Sequence, residues 1–167
     1  MNKLKDKVAI VTGGSKGIGA GIARQLAADG AKVIVNYASS RSDADKVVAD
    51  IEAAGGKATA VGADITSQSE VEALINAAVS HYGRLDIVVN NAGVYAFARI
   101  EESTETLFRR QFDINVLGPL LVAGAAAPHL TKGSSIINIS SFVTRVFIPE
   151  SAIYSGTKGA IDAITGV

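Results

Sequence analysis

Short runs of β-branched and aliphatic residues alternate along this chain with longer, alanine-rich segments of helical periodicity. The first such run is Val8–Thr12, and the run Leu85–Asn90 is almost wholly apolar. Strands this apolar are buried on both faces, as in a parallel sheet that is covered by helices on either side. The alternation therefore predicts one doubly wound α/β domain over residues 1–167.

The element boundaries follow from the same alternation and from its turn residues. The predicted strands are Val8–Thr12, Lys32–Asn36, Lys57–Val61, Leu85–Asn90 and Ser135–Ser140. The predicted helices are Gly17–Asp29, Arg41–Ala54, Ser67–Tyr82, Thr104–Leu130 and Ala152–Val167. Gly30 is expected to cap the first helix, and Ser67 is expected to form a capping box with Glu70.

The composition excludes several classes of protein. Lys plus Arg and Asp plus Glu both total 16, so we expect neither nucleic acid nor an anionic membrane as a partner. The absence of cysteine excludes a disulfide scaffold and a thiol nucleophile, and the isolated His81 and His129 predict no metal site. Val8–Val11 is too short for a signal-peptide core, and Val116–Pro128 is better interpreted as a buried helix than as a membrane span. We therefore expect a cytoplasmic protein.

A glycine-rich loop, Thr12–Gly19, stands where the first predicted strand becomes the first predicted helix. A glycine at the strand end permits a tight turn, and glycines at the helix start let a pyrophosphate approach the backbone N–H groups. Turn glycines without a ligand are the alternative. The strand before the loop and the helix after it favour a dinucleotide site.

The end of the second predicted strand bears on the kind of dinucleotide. NAD is normally recognised by an acidic residue there, which binds the ribose hydroxyls, but no acid occurs before Asp43. Lys16 and Arg41 offer cations for a 2′-phosphate, with the hydroxyl groups of Ser39 and Ser40 nearby. We therefore expect NADP(H), with NAD(H) as the second choice. Solvated surface cations are the alternative interpretation of Lys16 and Arg41.

Tyr154 and Lys158 lie one helical turn apart at the start of the last predicted helix, so their side chains share a face. A phenol is a poor acid or base near neutral pH until a nearby cation stabilises its phenolate. Lys158 is placed to provide that cation. On its own, a Tyr-x-x-x-Lys pair is common and usually structural.

Together, these motifs resemble those of the short-chain dehydrogenase/reductase family, which has a Rossmann fold. The glycine loop Thr12–Gly19, the Asn-Asn-Ala-Gly turn at residues 90–93 and the pair of Tyr154 and Lys158 occur in the family's order. The resemblance spans Lys5 to Val167.

Two further catalytic positions of the family have counterparts in this chain. Asn115 stands in the long predicted helix, where the family carries its fourth catalytic residue. Ser141 has the family's offset before Tyr154. Ser140 is not interchangeable with Ser141, because neighbouring residues on a strand point to opposite faces.

The resemblance implies a role for each of these side chains. Tyr154 would give a proton to the carbonyl oxygen, and Lys158 would support it and bind the nicotinamide ribose. Ser141 would hold and polarise the substrate oxygen, and Asn115 would hold a water in a proton relay. The implied cofactor-binding residues are Gly13, Ser15, Lys16, Gly17, Ile18, Gly19, Asn36, Tyr37, Ala38, Ser39, Arg41, Asp64, Ile65, Asn91, Ala92, Gly93, Tyr154 and Lys158.

Other positions keep two interpretations. Asp64 matches the family's contact to the adenine ring, and a helix-capping aspartate is the alternative. Tyr95 and Phe97 are candidates for the substrate pocket, and loop packing is the alternative. Residues 142–151 are expected to form an apolar wall beside the substrate.

The family is normally longer than this chain, and we expect a fragment or a truncated product, with strand order 3-2-1-4-5 and the fifth strand at an edge. The favoured function is an NADP(H)-dependent oxidoreductase of a ketone or secondary alcohol. Its substrate would be 3-oxoacyl-like or sugar- and polyol-like. The alternative is a dinucleotide-binding module without catalysis. The family also buries helices against partner subunits, so we expect a homo-oligomer.

Overall fold

The computed structural model describes residues 3–167, which form a parallel sheet of five strands between two layers of helices. The strands are β1 (Val8–Val11), β2 (Lys32–Tyr37), β3 (Lys57–Gly62), β4 (Ile87–Asn90) and β5 (Ser135–Asn138). The helices are α1 (Gly17–Ala28), α2 (Arg41–Ala53), α3 (Gln68–Tyr82), α4 (Glu105–Phe112), α5 (Gly118–Ala126) and α6 (Ala152–Thr165). The spatial order β3-β2-β1-β4-β5 confirms the predicted order and the Rossmann fold.

Alternate residues of the central strands enter two separate cores. Val8 and Ile10 of β1 pack on one face against α3 and α5, whereas Val11 packs on the other face against α1 and α2. All residues of β1 are buried, as the apolar strands predicted. The edge strand β5 differs, because Ile136 and Ile137 are 36% and 45% exposed.

The long helix predicted over Thr104–Leu130 is wrong as a single α-helix. Thr104 does cap its start, and its hydroxyl accepts a hydrogen bond from the Leu107 N–H at 3.2 Å. The helix then widens into a π-helical turn at Asp113–Leu117 before α5 begins. Pro119 explains the break, because a proline has no N–H for the carbonyl four residues earlier, and that carbonyl belongs to Asn115. A short 3-10 turn, Ala127–His129, follows α5.

The capping box predicted at α3 is also wrong. The Ser67 side chain makes no capping hydrogen bond, and its hydroxyl oxygen lies 3.3 Å from that of Ser69. The Glu70 carboxylate instead accepts from the Asp64 N–H at 2.8 Å, because the turn before α3 folds that group back over the helix end. The end of α1 follows the prediction: Gly30 has φ +100° and donates to the Ala27 carbonyl.

The interpretation of Val116–Pro128 as a buried helix is confirmed only in part. Val122 and Ala126 are fully buried, whereas Leu117 and Leu120 are 41% and 45% exposed. Within residues 3–167, no helix is both long and apolar enough to cross a bilayer. In the same range, no group of three or more His, Cys, Asp or Glu side chains is arranged to hold a metal ion.

Candidate active site

A cleft of about 600 Å³ lies at the carboxyl edge of the sheet. It lies where β1, β2, β3 and β4 run into their following loops, which is where doubly wound folds bind ligands. Its lining residues are Gly13, Ser15, Lys16, Gly17, Ile18, Gly19, Asn36, Tyr37, Ala38, Ser39, Ser40, Ala63, Asp64, Ile65, Asn91, Ala92, Gly93, Val94, Tyr95 and Ile114. Every cofactor-binding residue predicted from the sequence is among them except Arg41, Tyr154 and Lys158.

The glycine loop packs against the turn after β4 so closely that side chains are excluded. A Cβ atom at Gly13, whose φ is +61°, would lie 2.9 Å from the Ala92 Cα. A Cβ atom at Gly19 would lie 2.4 Å from the Asn91 side-chain nitrogen. That Asn91 amide group donates to the carbonyls of Thr12 and Gly13 at 3.0 and 3.2 Å. These two glycines are therefore required by close packing between the two loops.

Gly17 differs from them, because a Cβ atom there would meet nothing within 4 Å. Its φ of +55° still disfavours other residues. Gly17 begins α1, whose Lys16 N-cap supplies no side-chain hydrogen bond and whose first turn carries no acidic residue. The first N–H groups of a helix lack partners within the helix. The start of α1 is thus an open, electropositive cradle that suits an anionic group.

On the side of the cleft near β2, one lining residue is buried and supports the glycine loop, whereas another is exposed and can reach a ligand. Asn36 is buried, accepts from the Gly13 N–H at 3.3 Å and donates to the carbonyls of Val61 and Ala63. Its side chain therefore supports the glycine loop. Lys16 is exposed on the rim, and within the described residues no carboxylate lies within ion-pair distance of it.

Arg41 lies outside the cleft lining. Its guanidinium Nε is 3.6 Å from the Asp45 carboxylate, and 79% of its side chain is exposed. The structure therefore does not bring Arg41 to the cleft with Lys16, although α2 begins at this residue beside Ser39 and Ser40.

Asp64 closes a turn after β3 and does not cap a helix. Its Oδ1 accepts from the N–H of Thr66 at 2.9 Å and from the Thr66 hydroxyl at 2.8 Å. This arrangement is an Asx turn that orders the loop ahead of α3. The alternative of a helix-capping aspartate is thereby wrong, and Asp64 stays on the wall of the cleft.

Lys158 is almost completely buried, at 6% exposed, although it carries an amine. Its Nζ donates to the Ile139 carbonyl at 2.7 Å and lies 5.9 Å from the centre of the Tyr154 ring. Burial lowers the pKa of Lys158 below its ordinary value, and the negative charge of Asp162 offsets part of this effect. The predicted shared face of Tyr154 and Lys158 is present, at the carboxyl ends of β4 and β5.

Asn115 lies in the π-helical turn and is 1% exposed. Its Oδ1 accepts from the Val94 N–H, and its Nδ2 donates to the Val94 carbonyl, both at 2.8 Å. The same Nδ2 donates to the Thr157 hydroxyl at 3.1 Å. Asn115 therefore joins the loop after β4 to α6, and both protons of its amide are used.

Gln111 is a residue of this site that sequence reasoning missed. It is fully buried, and its amide group accepts from the Ala96 N–H at 3.3 Å and donates to the Ala96 carbonyl at 3.2 Å. One turn after Gln111, Asn115 makes the same pair of contacts to Val94. The only sequence signal was a polar residue one turn before Asn115 in an amphipathic helix, which is too common to single out.

The two serines after β5 have different surroundings. The Ser141 hydroxyl accepts from the Val143 N–H at 3.4 Å and so caps a 3-10 turn at Phe142–Thr144. The Ser140 hydroxyl is buried and makes no hydrogen bond of good geometry. The hydroxyl groups of Ser140 and Thr144 lie near the Asp162 carboxylate and lower the pKa of Asp162.

Ser141 opens onto an adjacent groove and does not line the main cleft. The groove is lined by Asn138, Ser140, Ser141, Phe142, Thr144, Arg145, Asp162 and Thr165. Asn90, the last residue of β4, is buried and donates from its side chain to the Asn138 side-chain carbonyl at 2.8 Å. Gly93 does line the cleft.

Tyr95 connects the cleft to Tyr154. It lines the cleft, and its ring centre is 6.2 Å from that of Tyr154 and 5.7 Å from that of Phe97. The rings of Phe97 and Tyr154 are 6.4 Å apart and nearly perpendicular. The apolar wall predicted over residues 142–151 is largely in solvent, since Phe142 and Phe147 are 67% and 102% exposed.

The chain is similar to known proteins along almost its whole length. A family model described as short chain dehydrogenase matches residues 7–167. An uncharacterized oxidoreductase of Methylorubrum extorquens is 62% identical over 167 residues, which is 100% of this chain and 67% of that protein. Versicolorin reductase of Emericella nidulans is 46% identical over 161 residues, or 96% of this chain and 61% of that protein.

A solved structure has a similar fold. The short chain dehydrogenase from Burkholderia cenocepacia in complex with NADP superposes with a TM-score of 0.93 at 38% identity. The match covers 98% of this chain and 67% of that one. The chain thus spans about two thirds of the length of the proteins it matches.

Proposed function

Because the chain belongs to the short-chain dehydrogenase/reductase family, we propose that it acts as an NADP(H)-dependent oxidoreductase that interconverts a ketone and a secondary alcohol. One observation carries this proposal: the buried amine of Lys158 lies beside Tyr154, whose ring is 6.2 Å from that of Tyr95 in the cleft lining. A buried cation without a carboxylate in contact is costly, and perturbed groups of this kind cluster at catalytic sites.

The chain's own residues fit a dinucleotide. The open cradle at Gly17 leaves room for a pyrophosphate against the N–H groups at the start of α1. Ile18, 70% exposed at the same rim, offers apolar surface, and Asp64 and Ile65 line the opposite wall. When bound, the nicotinamide supplies the hydride for carbonyl reduction.

The proton chemistry belongs to α6 and its neighbours. Tyr154 donates its phenolic proton to the carbonyl oxygen, and the positive charge of Lys158 stabilises the phenolate that remains. Ser141 holds the same oxygen by a hydrogen bond. Asn115 fixes α6 against the loop after β4 through Thr157, so its side chain keeps the reacting groups in position.

The preference for NADP(H) rests on Lys16. Its ammonium group stands on the rim, and the residues after β2 that line the cleft, Ala38, Ser39 and Ser40, carry no negative charge. A 2′-phosphate gains a charge-assisted contact there, whereas NAD(H) finds no acid for its ribose hydroxyl groups. Arg41 contributes after release from Asp45, an exposed pair that costs little to break.

The direct test measures NADPH binding by fluorescence and ketone-dependent NADPH oxidation for the unmutated protein and for Tyr154→Phe. We expect both proteins to bind NADPH and only the unmutated one to turn over. NADH in place of NADPH should bind about tenfold more weakly. Binding without turnover by the unmutated protein, across a panel of ketones and alcohols, would instead support a dinucleotide-binding module.

We also propose that the chain self-associates. Phe108 of α4, Leu117 of the π-helical turn and Leu120 of α5 are 47%, 41% and 45% exposed. Exposed apolar side chains that lie together on a surface are typical of a contact with a partner. A second copy would cover these side chains. Size-exclusion chromatography coupled to light scattering should give a molar mass at least twice the 17.1 kDa of one chain. A mass of one chain would contradict this.

A further inference from the structure

The loop after β4 is held to the neighbouring helix by an unusual pair of contacts. Asn115 binds both the N–H and the carbonyl of Val94, and Gln111 binds both the N–H and the carbonyl of Ala96. Both amide side chains are buried. The Ala98 N–H then donates to the Glu150 carbonyl at 2.9 Å. This segment, Val94–Ala98, is therefore fixed at three alternate residues.

The residues between these fixed points are Tyr95 and Phe97. Their ring centres are 5.7 Å apart, and both rings are within 6.4 Å of the Tyr154 ring centre. The two side chains therefore lie on one side of the segment and flank the phenol. Their pairing with Tyr154 is T-shaped, a favourable geometry for aromatic rings.

We infer that Tyr95 and Phe97 make this site selective for ketones whose carbonyl is attached to an aromatic ring, and that Gln111 is the residue that positions them. The inference rests on the proposed function and specifies the substrate class. A carbonyl oxygen within hydrogen-bond reach of Tyr154 has its substituents a few ångströms away, within reach of the two flanking rings. A planar aryl group there can stack on these rings or pack edge-to-face against them. A saturated ring has no π-system and makes neither kind of aromatic pair.

Fixed rings are required for this selectivity. A mobile loop would lose conformational freedom on binding, whereas a segment already held by buried amides does not. Gln111 fixes Ala96, the residue between the two aromatic side chains. Its loss would release Tyr95 and Phe97 without removing either ring, so Gln111 acts through them and touches no substrate.

The test compares 1-tetralone with 1-decalone, which has the same carbon skeleton without the aromatic ring. At saturating NADPH, we expect a higher kcat/KM for 1-tetralone. Phe97→Leu and Tyr95→Leu should each lower the ratio of the two kcat/KM values roughly two- to twelvefold. Phe97 is the cleaner position, because Tyr95 also lines the dinucleotide cleft. Equal losses for both ketones, or an unchanged ratio, would overturn the inference.

Calorimetric titration of 1-tetralol and 1-decalol into the NADP-loaded protein gives the same comparison without turnover. Tighter binding of 1-tetralol that Phe97→Leu abolishes supports the inference even if no ketone is reduced, in which case only the proposed function fails. Equal affinities for the two alcohols overturn the inference whether or not ketones turn over.

Gln111→Leu tests the positioning role, with Val47→Ala as a control that destabilises the core on the other side of the sheet. We expect Gln111→Leu to lower the tetralone-to-decalone ratio through KM, and Val47→Ala to leave it unchanged at a similar loss of Tm. Gln111→Glu, which keeps the acceptor for the Ala96 N–H, should recover part of the ratio. If both destabilised variants keep the unmutated ratio, Gln111 has only a structural role.

Discussion

Buried polar groups have different hydrogen-bond surroundings at the two edges of the sheet. At the amino edge, the buried Asp86 carboxylate receives hydrogen bonds from Arg84, from Lys7 and from the Val8 N–H at 2.6–3.0 Å. At the carboxyl edge, within residues 3–167, the buried Asn90 Oδ1 accepts no hydrogen bond, and the buried Ser140 hydroxyl lies near the Asp162 carboxylate without a hydrogen bond of good geometry. The buried Lys158 amine there donates to a backbone carbonyl and pairs with no carboxylate. Buried polar groups are normally satisfied. The departures concentrate where the chemistry is proposed.

The pKa directions of the two charged groups fit this contrast. Burial would raise the pKa of Asp86, but the hydrogen bonds from Arg84, Val8 and Lys7 outweigh it and the pKa is lowered. For Lys158, burial lowers the pKa and nothing in contact compensates fully. Asp86 therefore stabilises the folded protein in its charged form, whereas the charged form of Lys158 costs stability.

The largest expected effect comes from exchanging one lysine at each edge for methionine. Lys158→Met should lower turnover about 10²–10⁴-fold, because the phenolate of Tyr154 loses its cation. The same variant should be more stable at neutral pH. A Lys whose pKa is lower in the folded state destabilises that state below the lowered pKa, and stability returns as pH rises toward the unfolded value.

Lys7→Met is the matched control. It should leave turnover unchanged and cost at most about 1 kcal/mol, because the Lys7 amine is partly exposed and Arg84 still pairs with Asp86. Initial rates and chemical unfolding of both variants check the prediction. A Lys158→Met protein that is less stable than the unmutated one would break the comparison.

A second pair of variants compares glycines that share a conformation. Gly17 at the carboxyl edge and Gly83 at the amino edge have φ of +55° and +79°, and a Cβ atom at either would meet nothing within 4 Å. Alanine should therefore cost each about 1–2 kcal/mol of stability. Only Gly17→Ala should weaken NADPH binding, about 30- to 100-fold, through lost phosphate contacts. Equal affinities in the two variants would show that the cradle at Gly17 holds no phosphate.

Asp86→Asn tests the satisfied edge. The amide cannot receive the charge-assisted contacts of Arg84 and Lys7, and we expect a loss of about 1–2 kcal/mol with unchanged kcat. Because the pKa of Asp86 is lowered on folding, its contribution is present above the unfolded value of about 3.9 and is lost as pH falls through the folded value. The stability difference from the unmutated protein should thus vanish in acid. A difference independent of pH would contradict this.

The same contrast explains how far the sequence could be interpreted. The positions of the strands, the glycine loop and the pair of Tyr154 and Lys158 depend on apolar periodicity, on turn residues and on spacing within one helix. The spatial order of the strands came from the family resemblance. The π-helical turn depends on how Pro119 interrupts a helix whose composition otherwise continues, and proline near the first turn of a helix is ordinary.

Features that depend on a distant backbone group could not be predicted. Gln111 binds Ala96, and Glu70 binds the Asp64 N–H instead of completing a capping box. In each case, the side chain could form several hydrogen bonds. The path of a loop elsewhere in the chain decided which one forms, and local sequence patterns do not predict that path. Arg41 differs from these two, because its pairing with Asp45 is a contact between residues four apart in α2, which helical spacing allows.

The smallest expected effect concerns Asp162, the acid that bears on Lys158 from one turn along α6. Its charge raises the pKa of Lys158 against the lowering effect of burial. Removing that charge in Asp162→Asn should therefore lower the pKa of Lys158 further, and the alkaline limb of kcat/KM should move to lower pH while NADPH affinity is unchanged. Other charged groups near the carboxylate also matter: Arg145 lowers the pKa of Asp162, as Lys158 itself does.

Asp50→Asn, which removes an exposed carboxylate paired with Arg24 on the far side of the sheet, is the control and should leave the pH profile of kcat/KM unchanged. If the alkaline limb of kcat/KM lies at the same pH in Asp162→Asn and the unmutated protein, it does not report the deprotonation of Lys158. The contrast between the two edges must then rest on geometry alone.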